Sequence, residues 1–294
     1  MTQFLQLLLT GLMVGSIYSL VALGFVLIYK SSGIINVAQG QLLMVGAYVC
    51  WTFLVQMKMP FPAALALTIL VAIILGLLIE RFALRPLIGQ PVLAIVMMTI
   101  ALAAFLDGMT SLIWGANWQN FPDFIPRTPV LVGGISLSQQ HIFSFILAMA
   151  LLAVFSVFFR FTRLGLAMRA TAEDHQVAQS LGIGVKRVFA MAWVIAAVVS
   201  ALGGVLLGSI NGINLTLSVL GFKVLPVVLL GGLESIPGAI IAGPIIGILE
   251  TLAAGYLDPY VGGGIREVAP FVILVLALMF KPYGLFGLQR IERV

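Results

Sequence analysis

Amide and ionisable side chains are costly inside apolar spans, and where they occur they mark solute routes, relays or buried partnerships. Five stand in such places in this chain: Asn36, Gln39, Gln41, Asp107 and Glu250. The first three crowd a stretch, GIINVAQGQ, that interrupts an apolar run; the other two sit inside long apolar runs. Each could line a route for a polar solute or make an interhelical hydrogen bond. Asn36–Gln41 is the stronger route candidate, because unwound backbone at membrane depth is tolerated only under protein or beside a water-filled cavity. Asn211 and Asn214 add amides at the end of a later run.

The residue types for bond-making chemistry are missing. No glycine is followed by Lys-Ser or Lys-Thr, so there is no G-x-x-x-x-G-K-[ST] phosphate loop. His141 and His175 lie far apart, without the paired spacing of a zinc motif. Glu173, Asp174 and His175 are consecutive, and consecutive helical residues do not face one another, so they read as a solvated docking face. Cys50 is the only cysteine, which excludes an intramolecular disulfide and a cysteine-based metal cluster. The chain is expected to be a non-enzyme without a cofactor of its own.

One further constellation is polar: Arg160–Arg187, RFTRLGLAMRATAEDHQVAQSLGIGVKR. Leu166, Ala170, Val177 and Leu181 recur at three- and four-residue multiples and share one helical face. Arg169, Glu173, Gln176 and Ser180 fall on the other, with Arg169 and Glu173 one turn apart. Gly182 supplies a left-handed stop. The segment predicts one amphipathic helix of about 15 residues, roughly 22 Å long and too polar to cross a bilayer. It belongs at a membrane surface. Ala178 and Gly182 are small where a partner's groove would demand close approach.

These residues hang on a hydrophobic frame. Of 294 residues, 62% are hydrophobic and 9% charged, against about 25% charged in soluble domains. The chain is therefore an all-α integral membrane protein, a single domain over 1–294. Thirty-one glycines suit closely packed transmembrane helices. A formal charge of +5 does not indicate nucleic acid, because the basic residues sit at span ends. Apolar runs lie at Phe4–Tyr29, Pro60–Ile79, Val92–Trp114, Ile135–Phe159, Val188–Ser209, Leu217–Gly232, Ala239–Tyr256 and Val268–Phe280. Residues 33–55 are either a broken span or a re-entrant hairpin, giving nine or eight crossings. The first run lacks the basic flank and cleavage site of a signal peptide and reads as a retained span. Gly11-x-x-x-Gly15-Ser16-Ile17 is echoed by Gly204-x-x-x-Gly208-Ser209-Ile210, as related halves or as helix packing alone.

With the polar island in the cytoplasm and nine crossings, the inner face holds eleven basic residues. They are Lys30, Arg81, Arg85, Arg160, Arg163, Arg169, Lys186, Arg187, Lys281, Arg290 and Arg293. Only Lys58, Arg127, Lys223 and Arg266 remain outside. That obeys the positive-inside rule with the N-terminus outside. Eight crossings move Lys30 out and still satisfy it.

The island resembles the cytoplasmic coupling loop of ABC-importer permeases, through Arg169-Ala170, Glu173-Asp174, Ala178 and Leu181-Gly182-Ile183. GIINVAQGQLLMVGAY, ERFALRPL, LGGLESIPGAIIAGPIIGILE and FKPYGLFG are similar to ordered blocks of the branched-chain amino-acid permease family. That family usually has His where Gln39 stands, and often a small residue where Glu234 stands. The resemblance implies a multi-pass permease of the bacterial inner membrane, with ATP bound by partner subunits. It implies two ABC ATPases docked on the island, a homologous second permease and a periplasmic substrate-binding protein. It places coupling on Arg169, Glu173, Asp174, Ala178 and Gly182. Urea or a short amide remains an alternative substrate, since such permeases share these blocks. A stand-alone secondary carrier or channel is the other alternative, and it predicts charged ion-coupling sites at the bilayer midplane.

Overall fold

The computed structural model describes residues 2–87, 90–122, 128–132, 134–173 and 175–287. Arg127, Asp174, Arg290 and Arg293 lie outside the described residues. Two cavities, one at each end of the molecule, give every segment its direction. Ile28, Ser32, Glu80, Arg85, Val92, Gln179 and Val185 border one. Trp118, Asn211, Gly212, Arg266 and Glu267 border the other. The end bearing Gln179 carries the polar island and is called the inner end.

Helix α1 (Thr2–Ser32) runs from the outer to the inner end. Gly33 then turns the chain with a φ of 71°, and residues 34–38 climb back without helix. Helix α2 (Gln39–Trp51) starts deep in the bundle and continues as a π-helical turn, Thr52–Gln56. Trp51 donates from Nε1 to the Asn120 carbonyl at the outer end. Residues 33–55 are thus a broken span, not a re-entrant hairpin. Helix α3 (Phe61–Leu78) descends and ends in a π-helical turn, Ile79–Leu84. Helix α4 (Val92–Trp114) ascends.

Strands β1 (Val130–Val132) and β2 (Ile135–Leu137) form a small antiparallel hairpin at the outer end. The expected span from Ile135 therefore begins later, as α5 (Gln139–Phe161). Helices α6 (Arg163–Glu173) and α7 (His175–Ser180) follow at the inner end. Helix α8 (Val185–Asn211) ascends; a 3-10 turn (Leu215–Val219) with α9 (Leu220–Gly231) descends. Helix α10 (Ile236–Val261) ascends and α11 (Ile265–Phe280) descends. The described residues make nine passes, and the N-terminal end lies opposite the island. Among the described residues six helices are long and apolar enough to cross alone. The other three passes rest on shorter helices: α2 and α9 are largely buried among their neighbours, whereas α11 is mostly exposed.

Helices α1 and α8 are the centre, with 89% and 78% of their most apolar windows buried. For α3, α4 and α5 the figures are 28%, 17% and 22%, so these form the lipid-facing rim. The glycine echo explains how the centre closes. A Cβ on Gly11 would lie 2.6 Å from the Gly247 carbonyl oxygen of α10. A Cβ on Gly204 would collide with the Leu43 backbone of α2. Both copies are helix-packing edges of the small-residue kind.

Candidate substrate route and docking surface

The five polar candidates do not converge; they fall into three clusters at different depths. Asn36 and Gln39 hold the break between α1 and α2. The Asn36 side-chain oxygen accepts from the Ala38 backbone N–H at 3.0 Å, an Asx-type turn. Asn36 Nδ2 donates to Gln39 Oε1 at 2.9 Å, and Gln39 Nε2 donates to Ser200 Oγ on α8 at 2.5 Å. Both residues are fully buried. Gly24 leaves the space that Gln39 fills, because a Cβ there would collide with Nε2. The polar break is thus satisfied internally, as backbone at membrane depth requires. Asn36 also borders the inner cavity of about 400 Å³, which extends past the Glu80–Arg85 ion pair to Gln179 of α7. One cavity wall therefore joins the broken span to the island.

Gln41 and Asp107 form an interhelical bond, with Gln41 Nε2 donating to Asp107 Oδ2 at 3.2 Å. Along the same α2–α4 seam, Tyr48 stacks on Trp114 at 5.3 Å, and Trp114 Nε1 donates to Thr52 Oγ1 at 2.7 Å. This pair fastens a rim helix to the bundle.

Glu250 lies near the outer end, 1% exposed, in a network that no spacing rule announced. Its Oε1 accepts from Tyr18 OH and Arg266 Nε, each at 3.3 Å, and lies 3.9 Å from Lys223 Nζ. Lys223 Nζ also meets Glu267 Oε1 at 2.7 Å. Helices α1, α9, α10 and α11 are clasped together by five side chains. Lys223 read in the sequence as a plain outer-side charge, yet it is 4% exposed. Its position inside the apolar run Leu217–Gly232 was the available signal. Tyr18, inside the first apolar run, gave none.

The island is helical on both sides of Asp174, over α6 and α7, with Asp174 itself outside the described residues. The residues that pack inward are Gly165, Met168, Thr171 and Ala178. The predicted apolar face is turned out instead: Leu166 is 59% exposed, Val177 54% and Leu181 72%. Arg169 is half-buried and donates from Nη2 to the Arg160 carbonyl at 3.4 Å, while Glu173 is exposed. Ala178 is buried within the chain, so its small size serves internal packing rather than an outside groove. Gly182 has a φ of 80°. Its N–H donates to the Gln179 carbonyl at 2.9 Å and the Ile183 N–H to the Ala178 carbonyl at 3.0 Å. That bond pair is a Schellman stop, and it aims the chain into α8. An exposed surface of apolar and charged residues, rigidly joined to the central helix, is what a docking partner could grip.

The sequence profile of the family described as "Branched-chain amino acid transport system / permease component" matches residues 7–281. The chain belongs to this family. Among the permease proteins it resembles is LivH of the high-affinity branched-chain amino acid transport system of Escherichia coli strain K12. The two are 34% identical over 306 residues, 99% of this chain and 98% of that one. BraD of Pseudomonas aeruginosa, named for the same kind of system, is 33% identical over 305 residues with the same coverage. The probable LivH of Methanocaldococcus jannaschii is 28% identical over 282 residues, 92% of this chain and 88% of its own. Among solved structures, PsaBC from Streptococcus pneumoniae in complex with Fab matches with a TM-score of 0.52 at 14% identity. The match covers 95% of this chain and 92% of that chain. At that identity the likeness is one of fold. A branched-chain amino-acid permease family member with nine passes is a multi-pass membrane protein whose work is transport.

Proposed function

We propose that this chain is the translocating subunit of an ATP-driven importer for branched-chain amino acids in the bacterial inner membrane. The observation that carries the proposal is the island: its apolar residues face outward, and a Schellman turn fixes it to the central helix α8. Two ATPase subunits supply the energy, since the sequence has no phosphate loop; they bind the ATP and seat on the surface of Leu166, Arg169, Glu173 and Leu181. A homologous second permease completes the path, and a periplasmic binding protein delivers the solute to the outer end. When the ATPases close, they displace α6 and α7. Gln179 and Val185 border the inner cavity with Asn36, so the displacement reaches the point where the second pass is broken. Coupling between distant sites needs such a shared two-position element.

The purified chain alone should turn over no ATP. Reconstituted with its ATPases and a leucine-loaded binding protein, it should show stimulated hydrolysis and leucine uptake into proteoliposomes. Uptake of urea or acetamide in place of leucine would overturn the substrate class. Leucine uptake without ATPases would make the chain a stand-alone carrier.

A further inference from the structure

The outer-end cavity measures about 400 Å³ and is walled by two chemistries. Leu217, Val219, Leu220 and Trp118 supply apolar surface. Arg266, Glu267 and Lys223 bring both signs of charge to the same space. We propose that this cavity binds a free zwitterionic amino acid with an aliphatic side chain, so that the permease itself recognises its solute. The proposal rests on the transport reading given above and adds to it a site on this subunit.

The geometry supports separate seats for the two charges. Among the described residues Arg266 spends only its Nε in a hydrogen bond, to Glu250. Its two terminal nitrogens remain for a carboxylate, which a guanidinium grips through two parallel bonds. Arg266 is held in place by a carboxylate that is itself 1% exposed, so the fork is positioned before a ligand arrives. Glu267 gives only Oε1 to Lys223 and is 63% exposed. Its other oxygen is left for an ammonium. The four groups Lys223, Arg266, Glu250 and Glu267 sum to zero charge, so a neutral zwitterion enters without leaving an unpaired ion, whereas a singly charged molecule does not. The volume lies at the small end of ligand pockets, about 300–1,000 Å³, which suits a molecule of about nine heavy atoms and not a peptide.

The test is equilibrium binding of labelled L-leucine to the full chain in lipid nanodiscs. Isoamylamine, which lacks the carboxylate, and 4-methylpentanoate, which lacks the ammonium, serve as competitors. Leucine should displace label at least tenfold better than either analogue. Arg266→Gln and Glu267→Gln, both at partly exposed positions, should each weaken leucine binding at least tenfold. Val219→Trp should narrow the apolar wall and weaken leucine more than glycine. Absent leucine binding, equal potency of the analogues, or unchanged affinity in all three variants would overturn the site. Leucine import by the complete complex is scored separately. Import without binding by this chain leaves the transport reading standing and removes the site. Binding that depends on Arg266 and Glu267 in a complex that imports no amino acid does the reverse.

Discussion

At the scale of single residues, Gln39 shows how a polar group at membrane depth can be structural. It bridges Asn36 to Ser200, all three being fully buried. Gln39→Leu removes the bridge and leaves a buried donor and a buried hydroxyl without partners, at about 1–3 kcal/mol. The melting temperature of the detergent-purified protein should fall. The double variant Gln39→Leu, Ser200→Ala should lose less than the two single losses added together, because an orphaned partner costs more than an absent pair. Additive losses would mean the bridge carries no weight. Asn36 and Gln39 were legible in the sequence because amides inside an apolar run are rare. Ser200 was not, since serines in spans commonly bond their own helix. Gly182 was legible as a left-handed stop, and its surroundings sharpen the reading: a Cβ there meets nothing within 4 Å. A substitution acts through backbone strain alone, about 1–2 kcal/mol for ordinary residues and less for Asn. Gly182→Val should abolish binding-protein-stimulated ATP hydrolysis in the assembled complex, whereas Gly182→Asn should retain it. Equal loss in both would point to the space at this position and not to its conformation.

At the scale of elements, the outer clasp ties α9, α10 and α11 to α1 through two buried charges, Lys223 and Glu250, and two partly exposed ones, Arg266 and Glu267. Lys223 and Glu250 have side chains 5% and 1% exposed. Removing one member of a buried pair leaves an uncompensated charge and costs about 3–5 kcal/mol, whereas replacing both by apolar groups of similar size can be nearly neutral. Glu250→Leu alone should therefore destabilise the protein, leaving the buried Lys223 with only the exposed Glu267. Adding Lys223→Met should recover part of that loss, although Glu267 then stands without its partner. Unfolding midpoints of the three variants form the cycle, and absence of recovery would show that Glu250 acts through Tyr18 or Arg266 instead. None of this clasp was written in periodicity, because its members come from four segments spread across the chain. The island's helical content was legible, but its orientation was not. The stripe of Leu166, Val177 and Leu181 marked a face, and a face can pack on its own chain or wait for another. The choice depended on Gly165 and Thr171, small enough to sit against the inner end of the bundle, and neither stands out in a hydropathy pattern.

At the scale of the whole molecule, the nine passes follow from how little of the centre touches lipid. Six helices would span on hydropathy alone, and the broken 33–55 segment is polar enough to be mistaken for a loop. It crosses because α1 and α8 flank Gln39 while Asn36 and Ser200 satisfy it, so the bilayer never meets the unwound backbone. This fixes the ends relative to one another: Thr2 and Asn120 lie on one side, Ser180 on the other. Counting basic residues could not separate this arrangement from an eight-pass one, since both obey the positive-inside rule. The two differ at one place. With eight passes the N-terminus shares a side with the island; with nine it does not. Cys50 is buried, and Cys50→Ser gives a background in which single cysteines at Thr2, Asn120 and Ser180, all exposed positions, report their own surroundings. An impermeant thiol reagent added to intact cells should modify Thr2→Cys and Asn120→Cys. Ser180→Cys should react only after the membrane is opened. If Thr2→Cys instead behaves as Ser180→Cys does, the second segment does not cross, and the cavity wall joining Asn36 to the island could not serve as the link between ATPase docking and the path.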